Sequence, residues 1–184
     1  MDIFEACRSG DVYYLLAAIE RGEDVNEVNE DNWTPLMYAI CHSSEDNLEC
    51  MRTLINHGAN VNGRDNNQST ALHYAATYNN IDGINLLLDN GAEIDPVNSY
   101  NETPLMLTCR YNDDINSTRV LLERGANLTI PDSDGDTCLH CATTNLNIDM
   151  IKLLFEYGAD DAIVNVCKPF YFFCYNNNKI QYYV

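Results

Sequence analysis

The sequence predicts an all-α repeat solenoid, in which helix-turn-helix units stack side by side and are joined by short β-hairpin loops. Three observations predict it. Thr34, Thr70, Thr103 and Thr137 each open a T-x-L segment, at intervals of 36, 33 and 34 residues. Gly22, Gly58, Gly91, Gly125 and Gly158 recur at 36, 33, 34 and 33 residues, so independent markers share one period, as in a repeat array. Apolar residues also stand ten, seven, four and three positions ahead of the glycines, as in Ile81, Ile84, Leu87 and Leu88 or Ile148, Ile151, Leu154 and Phe155. Those offsets share one face of a 3.6-residue helix.

The copies run over residues 1–30, 31–64, 65–98, 99–132 and 133–164. The first lacks its leading hairpin and starts with a helix; Ala6, in register with Ala39, Ala75 and Ala142, makes Met1 the counterpart of the threonines. In the others the threonine opens the first helix. Thr34-Pro35 and Thr103-Pro104 are start signals, since threonine caps and proline at the first helical position loses no needed hydrogen bond. The glycine closes the second helix in the left-handed conformation. Next come the pairs Val25-Asn26, Val61-Asn62, Ile94-Asp95 and Leu128-Thr129, then a hairpin tip with Asn32, Gln68, Asn101 or Gly135 two residues before the threonine. A left-handed turn there suits asparagine and glycine better than Gln68.

The second copy is longer between its helices, around Cys41 to Asn47, and the fourth by about one residue near Asn112 to Asp114; Thr108 replaces the small alanine of the other copies. Residues 165–184 align with the fourth copy, Pro169 on Pro104, Phe170 on Leu105, Cys174 on Cys109 and Ile180 on Ile115. They read as a partial, aromatic C-terminal repeat whose helix covers the fifth copy.

Thr34-Pro35-Leu36-Met37-Tyr38-Ala39, Thr70-Ala71-Leu72-His73-Tyr74-Ala75-Ala76, Gly58-Ala59-Asn60-Val61-Asn62 and Gly91-Ala92-Glu93-Ile94-Asp95 resemble the ankyrin repeat consensus, over residues 1 to about 164. The resemblance implies a right-handed stack of about five and a half repeats that binds a protein on its concave face, without enzyme activity. For His73 and His140 it implies a hydrogen-bonding role between loops. Asn26 and Asn62 sit where members of that family can be hydroxylated by an asparaginyl hydroxylase, although bonding the hairpin turn suffices to explain them.

Composition narrows the partners. With 184 residues, 46% hydrophobic, the chain can bury a sizeable core. Its 10 Lys+Arg against 28 Asp+Glu give a net charge of -18, a field that repels phosphate backbones and anionic lipid. Neither nucleic acid nor a membrane is expected as a partner. The first residues lack a signal peptide's basic start and apolar run, and no apolar stretch is long enough for a span. The expected location is the cytoplasm, or the host cytoplasm or nucleus for a viral or effector protein, a class to which asparagine- and tyrosine-rich usage and short ankyrin-only chains both point. Several of the 8 cysteines fall on apolar helix positions, where free cysteine serves as a small hydrophobe and a reducing compartment is expected.

Candidate chemistry is sparse. Cys138-Leu139-His140-Cys141 contains a C-x-x-C, but no second C-x-x-C or histidine pair supplies further ligands. Asp113-Asp114 lies in a turn without a nucleophile. No catalytic residue, cofactor or metal is expected.

The interaction surface is more informative. Stacking lines up the hairpin tips with the ends of the first helices, positions such as Cys41 and His42. Trp33, Tyr78, Tyr100 and Tyr111 are the expected anchors for a protein partner, because tryptophan and tyrosine bring rigid contact area with a polar edge. Glu30, Asp31, Glu102, Asp134 and Asp136 select a basic partner. The chain is expected to be a monomer. The alternative is a structural spacer, or a fragment of a longer array, that self-associates through the aromatic C-terminal half-repeat.

Overall fold

The computed structural model describes residues 2–41, 45–160, 172–176 and 179–183. Ten helices lie among them, in five pairs: α1 (Ile3–Ser9) with α2 (Val12–Glu20), α3 (Pro35–Ile40) with α4 (Glu45–Asn56), α5 (Ala71–Thr77) with α6 (Ile81–Asp89), α7 (Pro104–Tyr111) with α8 (Asn116–Glu123), and α9 (Cys138–Thr144) with α10 (Ile148–Glu156). The first helix of each pair packs on the first helix of the next, giving an inner row α1, α3, α5, α7, α9; α2, α4, α6 and α8 form a second row beside it. The chain is an all-α repeat solenoid.

Sequence explains the helix boundaries. The Thr34 and Thr103 side chains accept from the N–H groups of Met37 and Met106, each with a proline opening the helix. Thr70 and Thr137 use a reciprocal cap: the imidazole Nδ1 of His73 and of His140 accepts from the threonine N–H at 3.0 Å. The loop glycines end the second helices at φ of 85 to 91°. The hairpin tips repeat one geometry, with Asn32, Gln68, Asn101 and Gly135 all at positive φ. Gln68 therefore holds a conformation its side chain disfavours, because the register of the third repeat demands it.

Ile84, Leu87, Ile151 and Leu154, seven and four residues before their glycines, are fully buried. Ile81, Leu88, Ile148 and Phe155, at the outer offsets, are only partly buried. Leu86 and Leu153 complete the buried face instead. Each full burial of such a side chain contributes about 1.5–3 kcal/mol. Thr108 fits without disturbing the stack: its hydroxyl donates to the Leu105 carbonyl and accepts from the Thr118 hydroxyl, both at 2.8 Å.

Asparagines tie neighbouring repeats. Asn26 Nδ2 donates to the Gly58 carbonyl and Asn62 Nδ2 to that of Gly91, while their side-chain oxygens accept from the N–H groups of Asn60 and Glu93. At the helix turns, Asn80 donates to the Ile40 carbonyl and Asn112 to that of Ala76.

The tail departs from expectation. The register with the fourth copy predicts a helix there, whereas β1 (Phe172–Asn176) and β2 (Lys179–Tyr183) pair antiparallel, Phe172 opposite Tyr183. The physical reason is composition: Phe172, Phe173, Tyr175, Ile180, Tyr182 and Tyr183 are aromatic or β-branched, residues that favour strands. Pro169 and Phe170, used in that alignment, lie outside the described residues, as do Met1 and His42.

Candidate protein-interaction face

The hairpin tips form one continuous strip because backbone links them. Asn66 N–H donates to the Asp31 carbonyl, Ser99 N–H to Asn67 and Ser133 N–H to Tyr100, at 2.8 to 3.0 Å. Each tip is braced from within by a carboxylate or amide five residues before its threonine. The Oδ1 atoms of Asn29, Asp65, Asn98 and Asp132 each accept two N–H groups of their own turn. This bracing puts Asp31, Asn67, Tyr100 and Asp134 at equivalent places along one edge.

Two devices hold the brace from the inner helices. In the second and third repeats a tyrosine four residues after the threonine does it: Tyr38 OH accepts from Asn29 Nδ2 at 3.1 Å, and Tyr74 OH donates to Asp65 Oδ2. These tyrosines belong to an aromatic run, Phe4 against Tyr38 at 5.3 Å, Tyr38 against Trp33 at 5.5 Å and Trp33 against Tyr74 at 4.5 Å. Trp33 is consequently half-buried, packed against both tyrosines. In the fourth and fifth repeats the tyrosine position holds Leu107 and Cys141, which cannot reach a brace. Arg110 replaces it, with Nη1 on Glu102 Oε1 at 2.5 Å and Nη2 on Asp132 Oδ2 at 2.7 Å, the latter nitrogen also 3.6 Å from Cys141 Sγ.

This pairing sets the local electrostatics. Burial works against the Arg110 charge, and Cys141, Asp132 and Glu102 outweigh it, so its pKa lies above the ordinary value. Burial likewise opposes the Asp132 charge, yet the Asp136 N–H, the Arg110 guanidinium and the Asp134 N–H hold its carboxyl below the usual range.

The expected site residues separate accordingly. Tyr78, Tyr100 and Tyr111 are 50%, 63% and 60% exposed, and Glu30, Asp31 and Asp134 are exposed too. Glu102 is not the free charge the sequence predicts: it is buried, with Oε1 on Arg110 and Oε2 on Asn98 Nδ2. Asp136 is also buried, because its peptide N–H is drawn in by Asp132. Tyr100, Glu102, Tyr111 and Asp134 are brought together around one cleft of about 410 Å³. Trp33, Glu30 and Asp31 sit at the other end of the strip, and Tyr78 lies between, its hydroxyl hydrogen-bonded with the Cys41 thiol, whose pKa burial pushes up to about 11.

A family model described as ankyrin repeats, three copies, matches residues 3–98 and 94–165. The chain belongs to the ankyrin repeat family. Relatives include an ankyrin repeat protein of Acanthamoeba polyphaga mimivirus, 30% identical over 88% of this chain and 20% of its own length. One from Fowlpox virus is 33% identical over 86% of this chain and 36% of its own. The human SH3 and multiple ankyrin repeat domains protein 2 is 32% identical over 80% of this chain and 8% of its own. The chain thus spans a minor part of the relatives it matches. Ankyrin repeats serve in general as non-enzymatic modules for protein interaction.

Several features of this ankyrin array escaped the sequence reading. The brace formed by Arg110 and Asp132 was legible only as the loss of tyrosine at 107 and 141, set against Tyr38 and Tyr74. Tyr13, 87% exposed, and Tyr14 stand out on α2, with no repeated position to mark them. The C-x-x-C sulfurs are interior: Cys138 is buried beside Cys109, whose hydrogen bond, with burial second, keeps it protonated well above the ordinary range. Among the described residues no cluster of three or more His, Cys, Asp or Glu could hold a metal, and no helix is long and apolar enough to cross a membrane.

Proposed function

We propose that this chain is a scaffold that holds a basic protein on the face made by the hairpin strip and the ends of the inner helices. The observation that carries this reading is the set of exposed tyrosines, Tyr78, Tyr100 and Tyr111, beside the exposed carboxylates of Asp31 and Asp134 on backbone-tied tips. The fold does not require large aromatic side chains at those places, and fixed aromatic rings lose little freedom when a partner covers them. Trp33, half-buried, adds contact area at one end. Glu30, Asp31 and Asp134 speed encounter with a positively charged partner, while Glu102 and Asp136 act inside the face, Glu102 by positioning Arg110. In this reading the scaffold acts on host factors, in the host cytoplasm or nucleus; its similarity to ankyrin repeat proteins of two viruses is the starting point for the viral part of the reading alone.

An affinity pull-down followed by titration of the recovered partner tests the assignment. Trp33→Ala with Tyr78→Ala, and separately Tyr78→Ala with Tyr111→Ala, should each weaken binding at least tenfold while the thermal transition persists. The second pair removes only exposed rings, so a folded Tyr78/Tyr111 variant that binds as tightly as the parent refutes the face.

A further inference from the structure

We infer that the cleft between Tyr100 and Tyr111 receives an arginine side chain of the protein partner. This inference rests on the interaction-face reading and names what one part of that face recognises. The cleft, about 410 Å³, is lined by both tyrosines and by Glu102, Arg110, Asp132 and Asp134. Three carboxylates face one guanidinium there, which leaves two negative charges in excess.

The hydrogen bonds show where that excess is available. Arg110 is held by Glu102 and Asp132 at 2.5 and 2.7 Å, so its charge is offset at the base of the cleft and does not turn away an incoming cation. The second oxygen of Glu102 accepts from Asn98, and Oδ1 of Asp132 accepts from two backbone N–H groups. Asp134, in contrast, presents an exposed carboxylate at the mouth. A second, smaller cleft of about 230 Å³ shares Arg110 and Asp134 and adds Asp136, which continues the acidic lining toward the fifth repeat.

An exposed carboxylate beside two tyrosine rings is a site for a cation. A cation over a tyrosine ring is attracted by the ring quadrupole, and the carboxylate supplies the countercharge. Guanidinium fits better than ammonium: it is planar, stacks on aromatic faces, is weakly hydrated and bonds a carboxylate through two parallel N–H groups. The volume suits one side chain rather than a folded element. Anionic groups are repelled by the excess charge, and a neutral side chain leaves it uncompensated.

The test uses the full chain with 13C-labelled tyrosine rings, titrated with acetyl-Gly-Arg-Gly-amide and with its neutral isostere acetyl-Gly-citrulline-Gly-amide. The Tyr100 and Tyr111 ring signals should move saturably with the arginine peptide. The dissociation constant should rise about tenfold with citrulline, and about tenfold for Asp134→Asn, which changes an exposed carboxylate and keeps the backbone bond that holds the tip. Equal shifts with both peptides, indifference to Asp134→Asn, or no movement of these two rings would each overturn the pocket. Loss of partner binding in the Tyr78/Tyr111 variant, with no ring response to the arginine peptide, removes the pocket and keeps the face; undiminished partner binding in that variant, with a ring response, removes the face and keeps the pocket.

Discussion

Acidification should unfold this protein through His73, and the structure gives the size. The imidazole is 1% exposed; Nδ1 accepts from the Thr70 N–H and Nε2 donates to the Glu102 carbonyl of the next repeat, both at 3.0 Å. Protonation at Nδ1 turns an acceptor into a donor aimed at another donor, inside a site that disfavours charge. Burial accordingly pushes its pKa down from 6.5 to about 4. Because the folded value is the lower one, the unfolded chain takes up the proton first. The contribution is therefore complete above pH 6.5, declines as the pH falls and is gone below about pH 4. A shift of this size corresponds to roughly 3 kcal/mol in all, of which about 2 kcal/mol disappears between pH 7 and pH 5. Urea unfolding at pH 7, 6 and 5 measures it, with His73→Asn as the reference, since asparagine keeps an acceptor near Thr70 but does not titrate. The variant should be less stable by about 1 kcal/mol at pH 7, from the lost bond to Glu102. It should converge on the parent near pH 5.5 and be the more stable of the two at pH 5. Parallel pH profiles for the two proteins would refute the assignment.

Two further outcomes follow from the strip and its braces. Gln68→Gly should raise the unfolding free energy by about 0.5–1 kcal/mol, because Gln68 sits at φ 61° and glycine adopts that conformation without a Cβ penalty; chemical denaturation that finds a loss would show that the Gln68 side chain makes a compensating contact. Arg110→Met should cost about 2 kcal/mol at pH 7, measured the same way. It strands the buried carboxylates of Glu102 and Asp132, a penalty moderated because Arg110 is itself one-third exposed. The deficit should shrink as falling pH protonates Asp132, whose carboxyl the Arg110 guanidinium helps hold below the usual range, and a deficit that does not change with pH would point to lost packing instead.

Local signals were enough for the repeat. Thr34 and Thr103 cap because their hydroxyls accept a first-turn N–H and the proline after them needs none, the glycines close helices because only they lack a Cβ, and Ile84 and Leu87 are core because their spacing puts them on one helical face. His73 was legible as scaffolding for the same reason, since His140 occupies the equivalent position and makes the same cap. The tail forms a strand pair where alignment with Pro104 and Cys109 predicts a helix, because strand-favouring residues such as Phe172 and Tyr182 dominate it. Glu102 is buried against Arg110 where the sequence predicts a free charge, because its tip position looks the same in sequence whether the side chain points to solvent or to Arg110.

The sequence by itself determined the period, the caps, the core positions and the acidic field, since each of these depends on residues close together in the chain or on their sum. Tertiary structure alone decided which carboxylates remain available to a partner. Arg110 meets Asp132 across 22 residues, and Trp33 meets Tyr74 across the boundary of two repeats. Such pairings exist only once the repeats are stacked, because stacking converts a one-dimensional spacing of about 33 residues into side chains that touch.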